Sequence, residues 1–468
     1  MCKKLGCMTV TVVLPQYIAD DIDAVARLPV ETAGVLIASL VSTEEGNIRL
    51  LATSMHWVPE SSYLRRGGDH LSIASEGYVP FLAVAEQLGG VAIWVHTHPG
   101  MESAPRPSEH DWKVDEQIGD LFRLRSGSLY YGTLIFSPRT VGLAFSGYIQ
   151  PEGGSLLQIE RLWQVGERFR LTRSFILPDR EIDAIFDRNV RALGGAVQQT
   201  LGDLQVGIVG CGGIGSAVAE QLTRLGVRNL VLFDPDELSA SNLTRVYGST
   251  AANIGESKVD TLAAHLKHIA PETRCNLVKS MITMVHAARR LCDCDIVFGC
   301  TDDNAGRLVL SRFSTYLLTP VIDSGVLVTS DPNGTLRGID GRVTTLVPGH
   351  ACLVCRGRID LARAAAELMT PQERQRRENE GYAPALGRTE PAVVTFTTFV
   401  AATAVSELLE RLIGYGPDPR PSEVLLRFHD REISTNIDAP RARHYCDFSS
   451  GKLGIGITDP FLEQTWPA

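Results

Sequence analysis

The chain has 468 residues, 44% of them hydrophobic and 21% charged, with a formal net charge of −9. That length gives room for two or three domains with full cores, and the composition is that of an ordinary globular protein. The acidic balance argues against general nucleic-acid binding, which needs a basic face. No stretch reaches the roughly twenty apolar residues that span a bilayer.

Close to the N-terminus, Lys3 and Lys4 precede Cys7 with almost no apolar run between them, so an export signal is not expected. The ten cysteines are scattered, most in apolar settings, as suits a reducing cytoplasm rather than a disulfide framework. Residues 35–38 and 91–95 read as buried strands, 76–88 as an amphipathic helix, and 129–136 and 142–149 as later strands. His96 and His98 therefore end a strand two residues apart, where alternation puts both on one side. Pro99 and Gly100 turn the chain, and Ser108 reads as the cap of a helix carrying Asp111 in its first turn. Two imidazoles and a carboxylate are what a hydrolytic zinc site needs, with its fourth position left for water. A second carboxylate takes the proton from that water and a hydroxyl steadies the oxyanion. Glu31, in Glu-x-x-Gly34, supplies the former and Ser108 the latter.

A His-x-His pair alone is common on surfaces, and Ser108 alone could be only a helix cap. Together with Pro99, Ser108-x-x-Asp111 and the upstream Glu31, the set resembles the JAMM (JAB/MPN) metalloprotease family. The resemblance implies an α+β zinc isopeptidase domain over residues 1–155. Its Zn2+ would be held by His96, His98 and Asp111, with Glu31 as general acid/base and Ser108 as oxyanion donor. The implied substrate bond is an amide or isopeptide after the C-terminal glycine of a ubiquitin-like protein. The loop from Pro99 to Ser108 is two residues longer than the family pattern, and His110 occupies a variable position.

Residues 156–182 carry little pattern and are expected to hold the linker. Helical character returns at 183–193. A plain buried strand at 204–209 then runs into Gly210-Cys-Gly212-Gly213-Ile-Gly215-Ser, followed by a helix at 216–225 and a strand at 229–233 ending at Asp234. Glycines there allow a tight turn and bring phosphate close to a helix N-terminus, while Asp234 is spaced for a ribose hydroxyl. The turn alone fits NAD as readily as ATP. Downstream come Asn242 and Arg245, then Lys258, then a strand at 295–299 leading to Asp302. A dehydrogenase has no need of Arg and Lys converging on phosphates. An adenylating enzyme does, because charge builds on the phosphates as pyrophosphate leaves, and it needs a carboxylate for Mg2+.

This ordered series, over about 188–410, is similar to the ThiF/HesA/MoeB adenylyltransferases, which include the ubiquitin-activating enzymes. The resemblance implies a Rossmann-like, doubly wound domain over 183–440, with a tail at 441–468, and so an α/β chain overall. It implies ATP held by Gly210, Gly212, Gly213, Gly215, Asp234, Asn242, Arg245 and Lys258, Mg2+ on Asp302, and Arg191 as a finger reaching across a homodimer. Arg191 reads equally well as a solvated helix charge. Many relatives also hold a structural zinc on two Cys-x-x-Cys pairs. Here Cys352 and Cys355 supply one pair, and the other is replaced by His444 and Cys446. A second Zn2+ on these four residues is chemically open, as is packing of the cysteines as small hydrophobes.

No cysteine lies between Cys355 and Cys446, so a thioester on the usual crossover segment is excluded by composition. That segment, 372–391, is charged and then glycine- and proline-containing, as suits a loop over an active site. The reading is a cytoplasmic enzyme that trims or releases a ubiquitin-like or sulfur-carrier protein and activates its terminal glycine. A conjugating enzyme or sulfur donor would be the acceptor. Its rivals are a catalytically idle scaffold for such a protein and a nicotinamide-dependent oxidoreductase.

Overall fold

The computed structural model describes residues 8–68, 71–100, 105–174, 182–331, 333, 335–370, 372–374, 376 and 392–467. They divide into two units, Met1–Asp179 with Gly454–Ile457, and Arg180–Leu453 with Thr458–Ala468. Among the described residues no helix is long and apolar enough to cross a membrane. Lys3, Lys4 and Cys7 lie outside them.

The first unit runs β1 (Val10–Pro15), α1 (Gln16–Ala26), β2 (Ala33–Ser42), β3 (Ile48–Trp57), β4 (Tyr63–Arg66), β5 (Leu71–Ile73), α2 (Val79–Leu88), β6 (Val91–Thr97), α3 (Glu109–Ser126), β7 (Tyr130–Pro138), β8 (Leu143–Pro151), β9 (Leu157–Val165) and β10 (Arg170–Arg173). Eight of these strands pair in the order β1-β3-β2-β6-β7-β8-β9-β10, and β1 also pairs with β9, curling the sheet toward closure. Because strand side chains alternate, each central strand feeds two cores. Leu36, Ile93 and Val95 pack with Ile18 and Ile22 of α1. Val35, Ala92 and Trp94 pack with Leu82 of α2 and Phe122 of α3. Continuing the second series by two residues places His96 on the face covered by α3.

Residues 156–182 are not a featureless linker: β9 and β10 lie within that range, and the first unit extends to Asp179 rather than 155. Trp163 and Val165 of β9 are fully buried. Glu160, Arg161 and Gln164 interrupt its apolar residues, which is why alternation was not legible there.

The second unit contains α4 (Asp187–Leu193), α5 (Gly195–Asp203), β11 (Gln205–Val209), α6 (Gly213–Arg224), β12 (Asn229–Phe233), α7 (Lys258–Ile269), β13 (Arg274–Val278), α8 (Val285–Arg290), β14 (Ile296–Gly299), α9 (Asn304–Tyr316), β15 (Val321–Ser330), β16 (Leu336–Leu346), α10 (Leu361–Glu367), α11 (Val394–Ile413), β17 (Glu423–Arg427) and β18 (Glu432–Asn436). Its sheet order is β13-β12-β11-β14-β15-β16-β17-β18. The first five strands are parallel and the last three antiparallel. β11 and β14 are neighbours from which the chain winds in opposite directions, so their C-terminal ends form the crevice where open α/β sheets bind ligands. Most of the segment 441–468 belongs to this unit, with 454–457 assigned to the first, so it is not a separate tail.

Gly215 allows α6 to sit close under the end of β11. A Cβ built there would lie far inside van der Waals contact with the Gly210 carbonyl oxygen. Gly215→Ala is expected to destabilise the chain by roughly 2–3 kcal/mol, as overpacking against backbone does, read from urea unfolding. A change under about 0.5 kcal/mol would show that the turn yields freely.

Candidate functional site

At the end of β6 the antiparallel register with β2 pairs Ala33 with His96, and Thr97 N donates to Thr32 O at 2.9 Å. The ladder ends at that pair, with Glu31 two residues before Ala33 and His98 two residues after His96. His96 is 4% exposed, and neither of its ring nitrogens completes a hydrogen bond. Its Nε2 stands 3.3 Å from Asp111 Oδ1, while His98 Nε2 is 3.9 Å from Asp111 Oδ2. The three ligand atoms lie within 4.8 Å of one another. A buried imidazole without a hydrogen bond beside a second imidazole and a carboxylate fits a divalent metal better than any protein partner here.

Charge agrees with the geometry. Burial and the neighbouring His96 push the His98 imidazole down to about 4, keeping it neutral. Burial pushes the Asp111 carboxyl up, but the adjoining His96 ring and the Ser108 amide outweigh it and hold it well below the usual carboxylate range. Both residues are then in the form that binds metal.

Ser108 caps α3 through a capping box: Ser108 N donates to Asp111 Oδ2 at 2.6 Å and Asp111 N donates to Ser108 Oγ at 3.2 Å. The cap uses the hydroxyl as acceptor, so its proton remains available to a ligand. Sequence reasoning missed the clamp on the start of β2. Glu31 N donates to Gly67 O at 2.7 Å, Arg66 Nε donates to Glu31 O at 2.9 Å, and Arg66 Nη2 donates to Thr32 Oγ1 at 2.5 Å. The Arg66 guanidinium also stacks 4.5 Å over the Tyr63 ring. The hairpin that carries it, β4 and β5, is only four and three residues long, too short for a pattern to stand out.

In the second unit a cavity of about 900 Å³ opens at the ends of β11 and β14. It is lined by Gly210, Gly212, Gly213, Asp234, Asn242, Arg245, Lys258 and Asp302. Gly210 has φ +89°, and a Cβ on Gly212 would meet open space, so the turn presents bare backbone to the cavity. Lys258 Nζ lies 2.7 Å from Asp236 and 3.7 Å from Asp234. Asn242, only 8% exposed, accepts from Ser239 N at 3.0 Å. Arg245 Nη1 donates to Ser241 O at 2.9 Å.

Two expectations change, and the position of Arg191 decides nothing between its two readings. Gly215 does not line the cavity; it is the contact beneath the turn. Asp234 accepts from Cys211 N at 2.7 Å and Asp236 N at 2.9 Å, so both its oxygens brace the turn. Asp236, with its side chain 64% exposed on the cavity wall, is the freer carboxylate. Arg191 lies away from the cavity, 78% exposed, and pairs with Asp187 one helical turn away at 2.9 Å, as a solvated helix charge does. Two wall residues passed over in the sequence are Asp303, which caps α9 by accepting from Gly306 N at 2.5 Å, and Arg307. Cys211 and Cys300 adjoin the cavity, but burial pushes both thiols well above the usual range, which makes them poor nucleophiles. Of the segment 372–391, all but residues 372–374 and 376 falls outside the described residues.

A third group lies in the same unit. Cys352, Cys355, His444 and Cys446 offer ligand atoms within 4.8 Å of one another. Cys355 Sγ is 3.6 Å from Cys446 Sγ. His444 Nδ1 is 3.6, 3.3 and 3.2 Å from the sulfurs of Cys352, Cys355 and Cys446. Tetrahedral zinc sets S···S near ~3.8 Å and N···S near ~3.5 Å, so these residues fit such an ion without rearrangement. The hydrogen bond between Cys352 and Cys446 pushes the Cys352 thiol down and its partner's up, as two sulfurs sharing one proton do.

A family model for the ThiF family matches residues 186–447. The chain belongs to the ThiF family. It is 29% identical over 180 residues to ubiquitin-like modifier-activating enzyme 5 of Bombyx mori, covering 36% of this chain and 44% of that protein. It is 30% identical over 164 residues to the molybdopterin-synthase adenylyltransferase of Escherichia coli K12, covering 35% and 62%. The chain thus spans roughly half the length of these curated relatives, and the matched family region lies in the second unit.

In the metal-free chain, His98 gives stability a pH dependence. A histidine held below its free value of 6.5 contributes fully above that pH and loses its contribution as pH falls toward about 4. The thermal lead of the zinc-free wild type over His98→Asn is expected to shrink across that window. A lead unchanged from pH 6.5 to 4 would contradict the burial assigned to His98.

Proposed function

We propose that the second unit activates a carboxylate by adenylation: a substrate carboxylate oxygen attacks the α-phosphorus of ATP, and pyrophosphate leaves. The observation that carries this reading is the convergence of the bare glycine turn, Arg245, Lys258 and Asp302 on one cavity at the crevice of the sheet. Backbone amides at the start of α6 meet the phosphates. Arg245 and Lys258 take up the charge that grows as pyrophosphate departs, with Lys258 exchanging its Asp236 partner for phosphate. Asn242 supports the same wall, and Asp302 would hold Mg2+. Asp236 is placed for a sugar hydroxyl, with Asp234 behind it. The substrate proposed is the terminal glycine of a ubiquitin-like or sulfur-carrier protein, a class supported by relatives named for a ubiquitin-like modifier and for molybdopterin synthase. Arg191 would act only in a homodimer, from a second copy. Since no cysteine lies between Cys355 and Cys446, the acyl group passes to a thiol or sulfur donor on another molecule.

The reading is tested by glycine-carboxylate-dependent exchange of labelled pyrophosphate into ATP. Lys258→Met and Asp302→Asn are each expected to lower that exchange about 100-fold, removing on the order of 2.7 kcal/mol of transition-state stabilisation. NAD binding without exchange would favour the oxidoreductase instead, which gives no use to Arg245 and Lys258 in the cavity.

A second reading concerns the first unit and rests on the gathering of His96, His98 and Asp111. We infer a zinc peptidase or isopeptidase cutting after the same terminal glycine, so that one unit prepares or releases what the other activates. His96, His98 and Asp111 would hold the zinc, which when bound lowers the pKa of a coordinated water and polarises the scissile carbonyl. Glu31 takes the proton and hands it to the leaving amine. Ser108 donates its hydroxyl to the developing oxyanion. Glu31→Gln is expected to abolish cleavage of a glycine-linked fusion while zinc content stays at the wild-type level. Undiminished cleavage removes Glu31 from that role, whereas a wild type that cleaves nothing leaves the scaffold reading for this unit.

A further inference from the structure

Helix α3 brings Asp111 to the histidines, and the Ser108 cap orders its first turn without tying it to the sheet. One turn further along the same stripe stands Asp115, 7% exposed. Its two carboxylate oxygens are occupied separately. Tyr131 Oη of β7 donates to Oδ1 at 2.6 Å, and Tyr148 Oη of β8 donates to Oδ2 at 2.8 Å. Both tyrosines are buried, at 1% and 4% exposure. Trp112, next to Asp111, stacks on the Tyr148 ring with centroids 5.4 Å apart and planes 12° from parallel. Another turn along, Gly119 leaves room for the Tyr131 ring, which a Cβ there would meet at 3.4 Å.

A buried carboxylate against a sheet is a costly way to attach a helix, since an apolar side chain would attach it with less desolvation. What a carboxylate adds is direction. Two hydroxyls on two adjacent strands fix the rotation and height of α3, whereas apolar packing would tolerate a shift along or around its axis. β7 is also the parallel neighbour of β6, with His96 in register with Ile135. The three residues therefore couple the helix that carries one ligand to the strand that carries the others.

We propose that Asp115, with Tyr131 and Tyr148, is the positioning group of the zinc site, setting Asp111 at ligand distance from His96 and His98. This rests on the metal reading of the first unit. The test is zinc affinity of the full chain, by competition with a chromophoric chelator. The first-unit zinc is identified as the equivalent lost in His96→Ala. Asp115→Leu and the double variant Tyr131→Phe/Tyr148→Phe are each expected to weaken that zinc about 10-fold or more, the range seen for groups that orient metal ligands. Each strands a buried partner and is expected to lower the thermal midpoint, whereas the triple variant Asp115→Leu/Tyr131→Phe/Tyr148→Phe leaves no polar atom of the set unpaired and is expected to keep the midpoint of the zinc-free chain while still binding that zinc about 10-fold more weakly. If these variants bind zinc within about twofold of wild type, the proposal is overturned and Asp115 is only a packing residue. Should wild type and His96→Ala carry equal zinc, the metal reading itself falls.

Discussion

A missing methyl group sets the geometry of the second unit. Helix α6 reaches the end of β11 only because Gly215 carries no Cβ against the Gly210 carbonyl. That approach points the first amides of α6 into the mouth of the sheet, where Gly210 and Gly212 leave the backbone bare. The cavity walls follow from it. Asp234 can receive the Cys211 and Asp236 amides because the turn is tight, and Lys258 is held near both carboxylates by the start of α7. A bulkier residue at 215 would push the helix away and loosen every one of these contacts.

The first unit follows a different rule, strand alternation feeding two cores. His96 continues the series Ala92, Trp94 on the side covered by α3, so burial of an imidazole is the outcome of a hydrophobic pattern carried two residues further. Glu31 and His98 each lie two residues past the last pair of the β2–β6 ladder. Neither placement required a long-range coincidence, only the pairing of β2 with β6.

Much of this was readable from the chain. Strand 229–233, the Ser108 cap, and the sequence of Asn242, Arg245, Lys258 and Asp302 all rest on local rules, namely alternation, capping and glycine turns, and such rules act over a few residues. What was not legible depends on contacts between distant segments. β9 hides behind Glu160 and Arg161, because only pairing with β1 reveals which of its residues face inward. Gly215 reads as a ligand glycine in the motif, but its neighbour is backbone rather than phosphate. Asp234 reads as a sugar ligand, but two amides already hold it, one of them two residues away and the other in the turn. His444 and Cys446 could be listed as ligands, yet their meeting with Cys352 and Cys355 depends on folding across some ninety residues.

The central claim is that the amides opening α6 hold phosphate while Arg245, Lys258 and Asp302 surround it. A crystal structure of the full chain with Mg2+ and a non-hydrolysable ATP analogue tests it most directly. The account expects the phosphates over Gly212 and Gly213, Lys258 turned from Asp236 toward them, and the metal on Asp302. An analogue seated elsewhere, or a nucleotide whose phosphates point away from the glycine turn with the Lys258–Asp236 pair intact, would contradict it.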